Sequence, residues 1–252
     1  MQQSKQPAEL IRDMYRQGTS YVFAKKPGDI AKEYGFEKVA RLASNENPFG
    51  PSKKALEEAA SALSSMHQYP DTVHASLITA LKDYHGDFDF VTGVGMDGVI
   101  ETCIRVLINP GDIVAISTPT FSFYGLAAAA QGAEIRNIPR SDDFTVDIQG
   151  FIAGARDAKI SFLCSPNNPS GTVTSAGDIE TILQKINGML FLDNAYVEFS
   201  DEEYRYLLKK YDNLLIGRTM SKVFGLAGCR VGYAFVPDWL KPVYDKAATP
   251  FT

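Results

Sequence analysis

The sequence predicts an α/β protein in three layers, with a mostly parallel sheet covered by helices on both faces. Two observations predict this class. From residue 89 onward, short apolar runs alternate with helical runs. The runs "KISFLCSP" and "GMLFLDNAY" are apolar almost throughout, as strands buried on both faces are.

Taken in order, "MQQSKQPAELIRDMYRQG" reads as a polar surface helix. The chain to residue 50 then reads as irregular, with Pro27, Gly28, Pro48, Gly50 and Pro51 as breakers. "SKKALEEAASALSSM" (52–66) has helical spacing with Ser52 as its N-cap. "HASLITALKDYHG" (74–86) is an amphipathic helix closed by Gly86. "FDFVTGVG" is a strand entering a glycine turn, and "DGVIETCIRVLI" is a helix. "DIVAISTP" is a strand, "FSFYGLAAAAQG" a helix ending at Gly132, and "AEIRNIP" a strand. "KISFLCSP" is a strand, "AGDIETILQKI" a helix, and "GMLFLDNAY" a strand. "EEYRYLLKKY" reads as a helix, "NLLIGRTMSK" as a strand and "CRVGYAFVP" as the last strand.

Composition narrows the function. The chain has 252 residues, 45% hydrophobic and 22% charged, which suits a globular protein with one large domain. A formal net charge of −5 argues against a nucleic-acid or acidic-membrane surface. No run reaches the ~18 apolar residues of a membrane span, and the first residues do not read as a signal peptide. Cys103, Cys164 and Cys229 are dispersed and odd in number, which fits a reducing, cytoplasmic setting. His67, His74 and His85 lack metal-ligand spacing, so no metal site is expected.

In a parallel α/β sheet, ligands bind beyond the carboxyl ends of the strands. "GVGMDG" (93–98) lies between a strand and a helix. Its glycines and the helix N-terminus can cradle an anion. It also matches G-x-G-x-x-G, but Asp112 opens the next strand where a dinucleotide site wants an acid at the end. "PTFSFY" offers Phe121, either a core aromatic or a ring that stacks on a flat ligand. "SPNNPSGT" offers two asparagines, either turn chemistry or an amide aimed at a ligand. "DNAYVEF" places Asp193 at the end of an apolar strand, where a carboxylate needs a partner, with Tyr196 just beyond. "TMSKVFGLAGCRVGY" adds Thr219, Ser221, Lys222 and Arg230. A phosphate cradle, a flat aromatic, an amide, a carboxylate, a phenol, a lysine and an arginine together suit one ligand: pyridoxal phosphate, with its planar pyridinium, phenolic oxygen and lysine-reactive aldehyde.

With these residues in place, the sequence resembles a fold-type I pyridoxal-phosphate aminotransferase, and within that group the histidinol-phosphate aminotransferases. "LASNENPFGPS" (42–52), "YPD" (69–71), "PTFSFY", "SPNNPSGT", "LDNAY" and "RTMSKVFGLAGCRVGY" match that family's blocks in order, over essentially the whole chain. The resemblance implies a role for each matching residue. Lys222 would attach to the cofactor and later shuttle a proton. Asp193 would bond the pyridine nitrogen. Asn168 and Tyr196 would bond the ring hydroxyl oxygen, and Phe121 would stack on the ring, where relatives often carry tyrosine. Backbone at Gly95, Met96 and Asp97 would hold the phosphate, with Thr219, Ser221 and Arg230 adding donors. Tyr69 would reach the phosphate of a neighbouring subunit, which implies a homodimer. Tyr21, Asn45 and Asn47 resemble the segment that closes over the substrate.

The resemblance further implies transamination of histidinol phosphate with 2-oxoglutarate in histidine biosynthesis. An aromatic aminotransferase, a threonine-phosphate decarboxylase and an inactive remnant are the alternatives. Residues 1–51 would form an N-terminal segment, and 52–252 the cofactor-binding large domain. Family chains continue past "DKAATPFT" into a smaller C-terminal domain, so the expectation is a truncated frame.

Overall fold

The computed structural model describes residues 7–18, 20, 21 and 24–251. Among them, seven strands build one sheet: β1 (Phe90–Val94), β2 (Ile113–Thr118), β3 (Glu134–Pro139), β4 (Ile160–Cys164), β5 (Met189–Asp193), β6 (Leu214–Thr219) and β7 (Val231–Phe235). Their spatial order is β1-β7-β6-β5-β4-β2-β3. Only β7 runs antiparallel to its neighbours, β1 and β6; every other pair is parallel. The mostly parallel sheet expected from the apolar runs is therefore present. All residues of β4, β5 and β6 are buried, which is why these runs lack polar alternation.

Nine helices accompany the sheet in the described residues: α1 (Asp13–Gln17), α2 (Pro27–Tyr34), α3 (Lys53–Ala62), α4 (Ala75–His85), α5 (Gly95–Leu107), α6 (Phe123–Gln131), α7 (Ile148–Ala155), α8 (Ala176–Leu183) and α9 (Lys241–Ala247). Two hydrophobic cores form the outer layers. On one face Leu81 of α4, Phe151 of α7 and Ile179 of α8 pack against Leu163, Leu190, Leu192 and Ile216 of the strands. On the other, Val99, Ile100 and Ile104 of α5, Tyr124 of α6 and Tyr244 of α9 pack against Phe162, Phe191 and Leu215. Successive strand residues thus divide between the two cores, as the pleat requires. Each fully buried Leu, Ile or Phe contributes about 1.5–3 kcal/mol.

Local signals account for several of the helix ends. The Ser52 hydroxyl accepts from the Ala55 N–H at 3.2 Å and caps α3. Gly86 (φ 96°) closes α4, and Gly132 (φ 87°) closes α6. Other expectations fail for identifiable reasons. The helix read over residues 1–18 is a 3-10 turn at Pro7–Leu10 followed by the short α1; residues 1–6 lie outside the described part. Pro27 and Gly28 do not break the chain but open α2, with Pro27 in the first turn, where its missing N–H has no helical partner to lose, and Gly35 as a left-handed cap. The helix read over 202–211 is only a 3-10 segment, Arg205–Lys209. Helices α7 and α9 were not anticipated. Cys103, Cys164 and Cys229 are all free thiols, the first two buried.

Candidate active site

The carboxyl ends of β4, β5 and β6 open into one cavity of about 630 Å³. It is lined by the predicted Tyr21, Asn45, Met96, Asp97, Phe121, Asn168, Asp193, Tyr196, Thr219, Ser221, Lys222 and Arg230. Gly95, Asn47 and Tyr69 are not on its wall. The arrangement follows from the fold: three adjacent parallel strands end on the same side, so the residues after each strand converge.

Asp193 is the last residue of β5 and is 3% exposed. The Tyr124 hydroxyl donates to its Oδ2 at 2.5 Å, and the Ala195 N–H donates to its Oδ1 at 2.9 Å. Burial raises the Asp193 pKa above the carboxylate range; these two donors and the nearby Lys222 charge oppose that rise. Its hydrogen bonds come from neutral groups, so a cationic N–H in the cavity would complement it.

Lys222 follows β6. Its Nζ donates to the Ser44 carbonyl at 2.8 Å and lies 5.4 Å from the centre of the Tyr196 ring. Burial pulls its pKa below the ordinary lysine value, against the opposite pull of Asp193, Asp97 and Glu46. A half-buried lysine with a lowered pKa presents more of the neutral, nucleophilic amine near neutral pH than an exposed one. Tyr196 accepts a hydrogen bond from Asn45 Nδ2 at 3.0 Å, and burial pushes its phenol up to about 12. The segment that delivers Asn45 is unusual: Ser44 (φ 69°) and Asn45 (φ 49°) are consecutive left-handed residues.

The amino end of a helix and an arginine stand beside these groups. The amino end of α5 begins at Gly95, whose φ is +68°. Gly95 donates its N–H to the Arg230 carbonyl at 2.7 Å, so that donor is already engaged and the free end of the helix begins with Met96 and Asp97. What Gly95 supplies is space: a Cβ there would lie 2.3 Å from an Arg230 guanidinium nitrogen. The same closeness explains Gly232 on β7, whose Cβ would meet the Gly95 carbonyl carbon at 2.2 Å. Gly228, by contrast, faces open space. Arg230, itself left-handed at φ 53°, reaches Asp97 Oδ2 at 3.1 Å. Thr219 and Ser221 exchange a hydroxyl hydrogen bond of 2.9 Å, and the Ser221 N–H donates to Thr219 Oγ1 at 3.1 Å.

Phe121 borders the cavity with its ring edge-on to Tyr21 (6.2 Å between centroids) and to Tyr124 (5.5 Å). Asn168 lies on the wall shared with a second compartment of about 550 Å³, which also contains Asn47, Phe49, Val173 and Phe199. Asn47 is committed within the chain: its amide donates to the Val223 carbonyl, and its side-chain oxygen accepts from Phe49 N–H. Tyr69 is 81% exposed and packs on Phe251 at 4.7 Å, away from the cavity. Sequence reading missed Tyr124, Ala195 and Ser44. Tyr124 closes the same "PTFSFY" block as Phe121, a usable signal; the roles of Ala195 and Ser44 are backbone contacts that no side chain announces.

The family model described as "Aminotransferase class I and II" matches residues 37–252. The chain is 58% identical over 242 residues to the histidinol-phosphate aminotransferase of Methanoculleus marisnigri, covering 96% of this chain and 69% of that relative. To the enzyme of the same name from Methanocorpusculum labreanum it is 61% identical over 235 residues, covering 93% and 67%. A crystal structure of histidinol-phosphate aminotransferase from Sinorhizobium meliloti in complex with pyridoxal-5'-phosphate matches with a TM-score of 0.84 at 26% identity, over 94% of this chain and 66% of that one. The chain thus spans about two thirds of the length of these relatives. Fold and cavity together define a three-layer α/β domain whose site lies at the carboxyl ends of its parallel strands. This chain belongs to the aminotransferase class I and II family.

Proposed function

We propose that the chain carries the cofactor domain of an aminotransferase that uses pyridoxal 5'-phosphate to move an amino group from L-histidinol phosphate to 2-oxoglutarate. The observation that carries the chemistry is the convergence of Lys222, buried Asp193 and Arg230 on one cavity. The amino donor rests on the names of relatives 58% and 61% identical to this chain.

The residues present fit this cofactor. Asp193, whose hydrogen bonds come from the neutral Tyr124 and Ala195, suits a pyridinium N–H. The start of α5 and Arg230, whose guanidinium packs over Gly95, suit a phosphate. When bound, pyridoxal phosphate supplies an electron sink for the bonds at the substrate α-carbon.

The chain's own groups do the rest. Lys222 Nζ would hold the cofactor covalently and, once released, would take the proton off the substrate α-carbon; its lowered pKa enlarges the neutral share of the amine for this. Asp193 keeps the ring nitrogen protonated. Asn168 and Tyr196 orient the ring hydroxyl oxygen, and Phe121 covers one ring face. Met96 and Asp97 backbone, with Thr219, Ser221 and Arg230, hold the phosphate, while Gly95 leaves room for the Arg230 guanidinium. Tyr21 and Asn45 close the substrate side, while Asn47, bonded to the Val223 carbonyl, anchors that segment instead of facing the cavity. Tyr69, exposed here, reaches the neighbouring subunit's site in a homodimer. On this reading 1–51 is the N-terminal segment with its substrate-covering loop, and 52–252 is the cofactor domain. No helix among the described residues is long and apolar enough to cross a membrane; the cytoplasm is the location this reading assigns to the enzyme.

The test is amination of the cofactor-loaded protein by histidinol phosphate, phenylalanine or threonine phosphate, followed as loss of the absorbance band at the visible edge. Histidinol phosphate is expected to react fastest. A faster reaction with either of the others would overturn the assignment of the donor.

A further inference from the structure

Behind the cavity, on the face of the sheet covered by α4 and α8, lies a largely buried ion pair that the site described above does not use. Arg218 precedes Thr219 on β6, and its guanidinium sits 3.2 Å from Glu198 Oε1, with the two side chains 9% and 16% exposed. The guanidinium also lies over the Phe235 ring at 5.9 Å, and its buried Nε finds no hydrogen-bond partner among the described residues. Around the pair stand His85, bonded to the Tyr233 hydroxyl at 2.8 Å, and Arg205, paired with Glu203.

The pair joins two segments that carry the site. Glu198 lies two residues beyond Tyr196, and Arg218 four residues before Lys222. The same segments touch through the Asn194 N–H, which donates to the Gly217 carbonyl at 2.9 Å. Strand alternation puts Thr219 on the cavity wall and Arg218 behind it. A buried ion pair is a poor source of net stability: apolar residues of like volume often do as well or better, because both charges must be stripped of water. Its orphaned Nε adds to that cost. What such a pair provides is a fixed geometry between the segments it joins.

We propose that Arg218 and Glu198 are positioning residues that hold Tyr196 and Lys222 in register for the cofactor. The inference rests on the reading of Lys222 as the cofactor-bearing amine. It adds two residues with no contact to the cavity to the set that governs the site.

The experiment compares the wild-type protein with the double variant Arg218→Met/Glu198→Leu and with Glu198→Gln. Three quantities are read: thermal stability, pyridoxal phosphate affinity, and the pH midpoint of the visible-edge absorbance of the lysine-bound cofactor. The double variant is expected to melt at or above the wild-type temperature. Its cofactor affinity is expected to fall about tenfold and its spectral midpoint to move by about one pH unit. Glu198→Gln, which keeps the shape and one acceptor, is expected to shift the midpoint the same way by less, and it carries the test if the double variant does not fold. A folded variant with the wild-type midpoint and affinity would overturn the proposal while leaving the function of Lys222 intact. A wild-type protein that forms no lysine-bound cofactor would overturn both.

Discussion

The Tyr124 hydroxyl lies 2.5 Å from Oδ2 of Asp193, and both side chains are buried. Tyr124 also stacks on Phe162 at 4.8 Å and meets Phe121 edge-on, so one residue of α6 supports both the carboxylate and the aromatic ring at the cavity wall. A hydrogen bond to a charged, buried group outweighs one between neutral groups. Replacing Tyr124 with Phe removes only the hydroxyl. The variant is expected to lose about 2 kcal/mol of stability in denaturant unfolding and to hold pyridoxal phosphate more weakly, because Asp193 is then harder to keep ionised. Unchanged stability and affinity together would show that the short contact contributes nothing.

Arg230 is expected to separate the phosphate from the ring. In Arg230→Ala the affinity for pyridoxal phosphate should fall tenfold or more, on the order of one charge-assisted, two-pronged contact. Affinity for pyridoxal, which has no phosphate, should hardly change. Equal losses for both compounds, measured by fluorescence titration, would place the cradle elsewhere.

His85 predicts a pH window for stability. Burial, with Arg218 and Arg205 nearby, lowers its pKa from 6.5 to about 4, against the opposing charge of Glu203. Between these values the unfolded chain binds more protons than the folded one, so stability rises with pH across the interval. The contribution is fully present above about 6.5 and is lost as the pH falls toward 4. Melting curves from pH 7 to 4 should show this slope, and His85→Gln should flatten it. An unchanged slope in the variant would assign the effect to other groups.

The sheet was legible because β4 and β5 are buried on both faces and read as almost continuous apolar runs. The cavity was legible because parallel strands deliver their next residues to one side. Irregular pieces were harder. Pro27 looks like a breaker until Gly35 is seen to end the same helix, and the 202–211 run has helical spacing yet forms only a 3-10 segment. Arg218 and Glu198 were invisible in sequence, because nothing in a linear string shows that a strand residue and a residue of the 3-10 turn Val197–Phe199 meet behind the sheet. Ser44 and Ala195 act through backbone atoms, and the Gly95 N–H turns to Arg230 rather than outward.

The most direct test is chemical trapping. The purified protein is incubated with pyridoxal phosphate, reduced with borohydride, digested and read by mass spectrometry. Lys222 sits half-buried at the cavity with a depressed pKa, while most other lysines are exposed on the surface. The expected result is a single stoichiometric pyridoxyl label on Lys222, lost in Lys222→Ala together with the visible-edge absorbance. A label spread over surface lysines, or a Lys222→Ala protein that still holds the cofactor covalently at one other site, would contradict it.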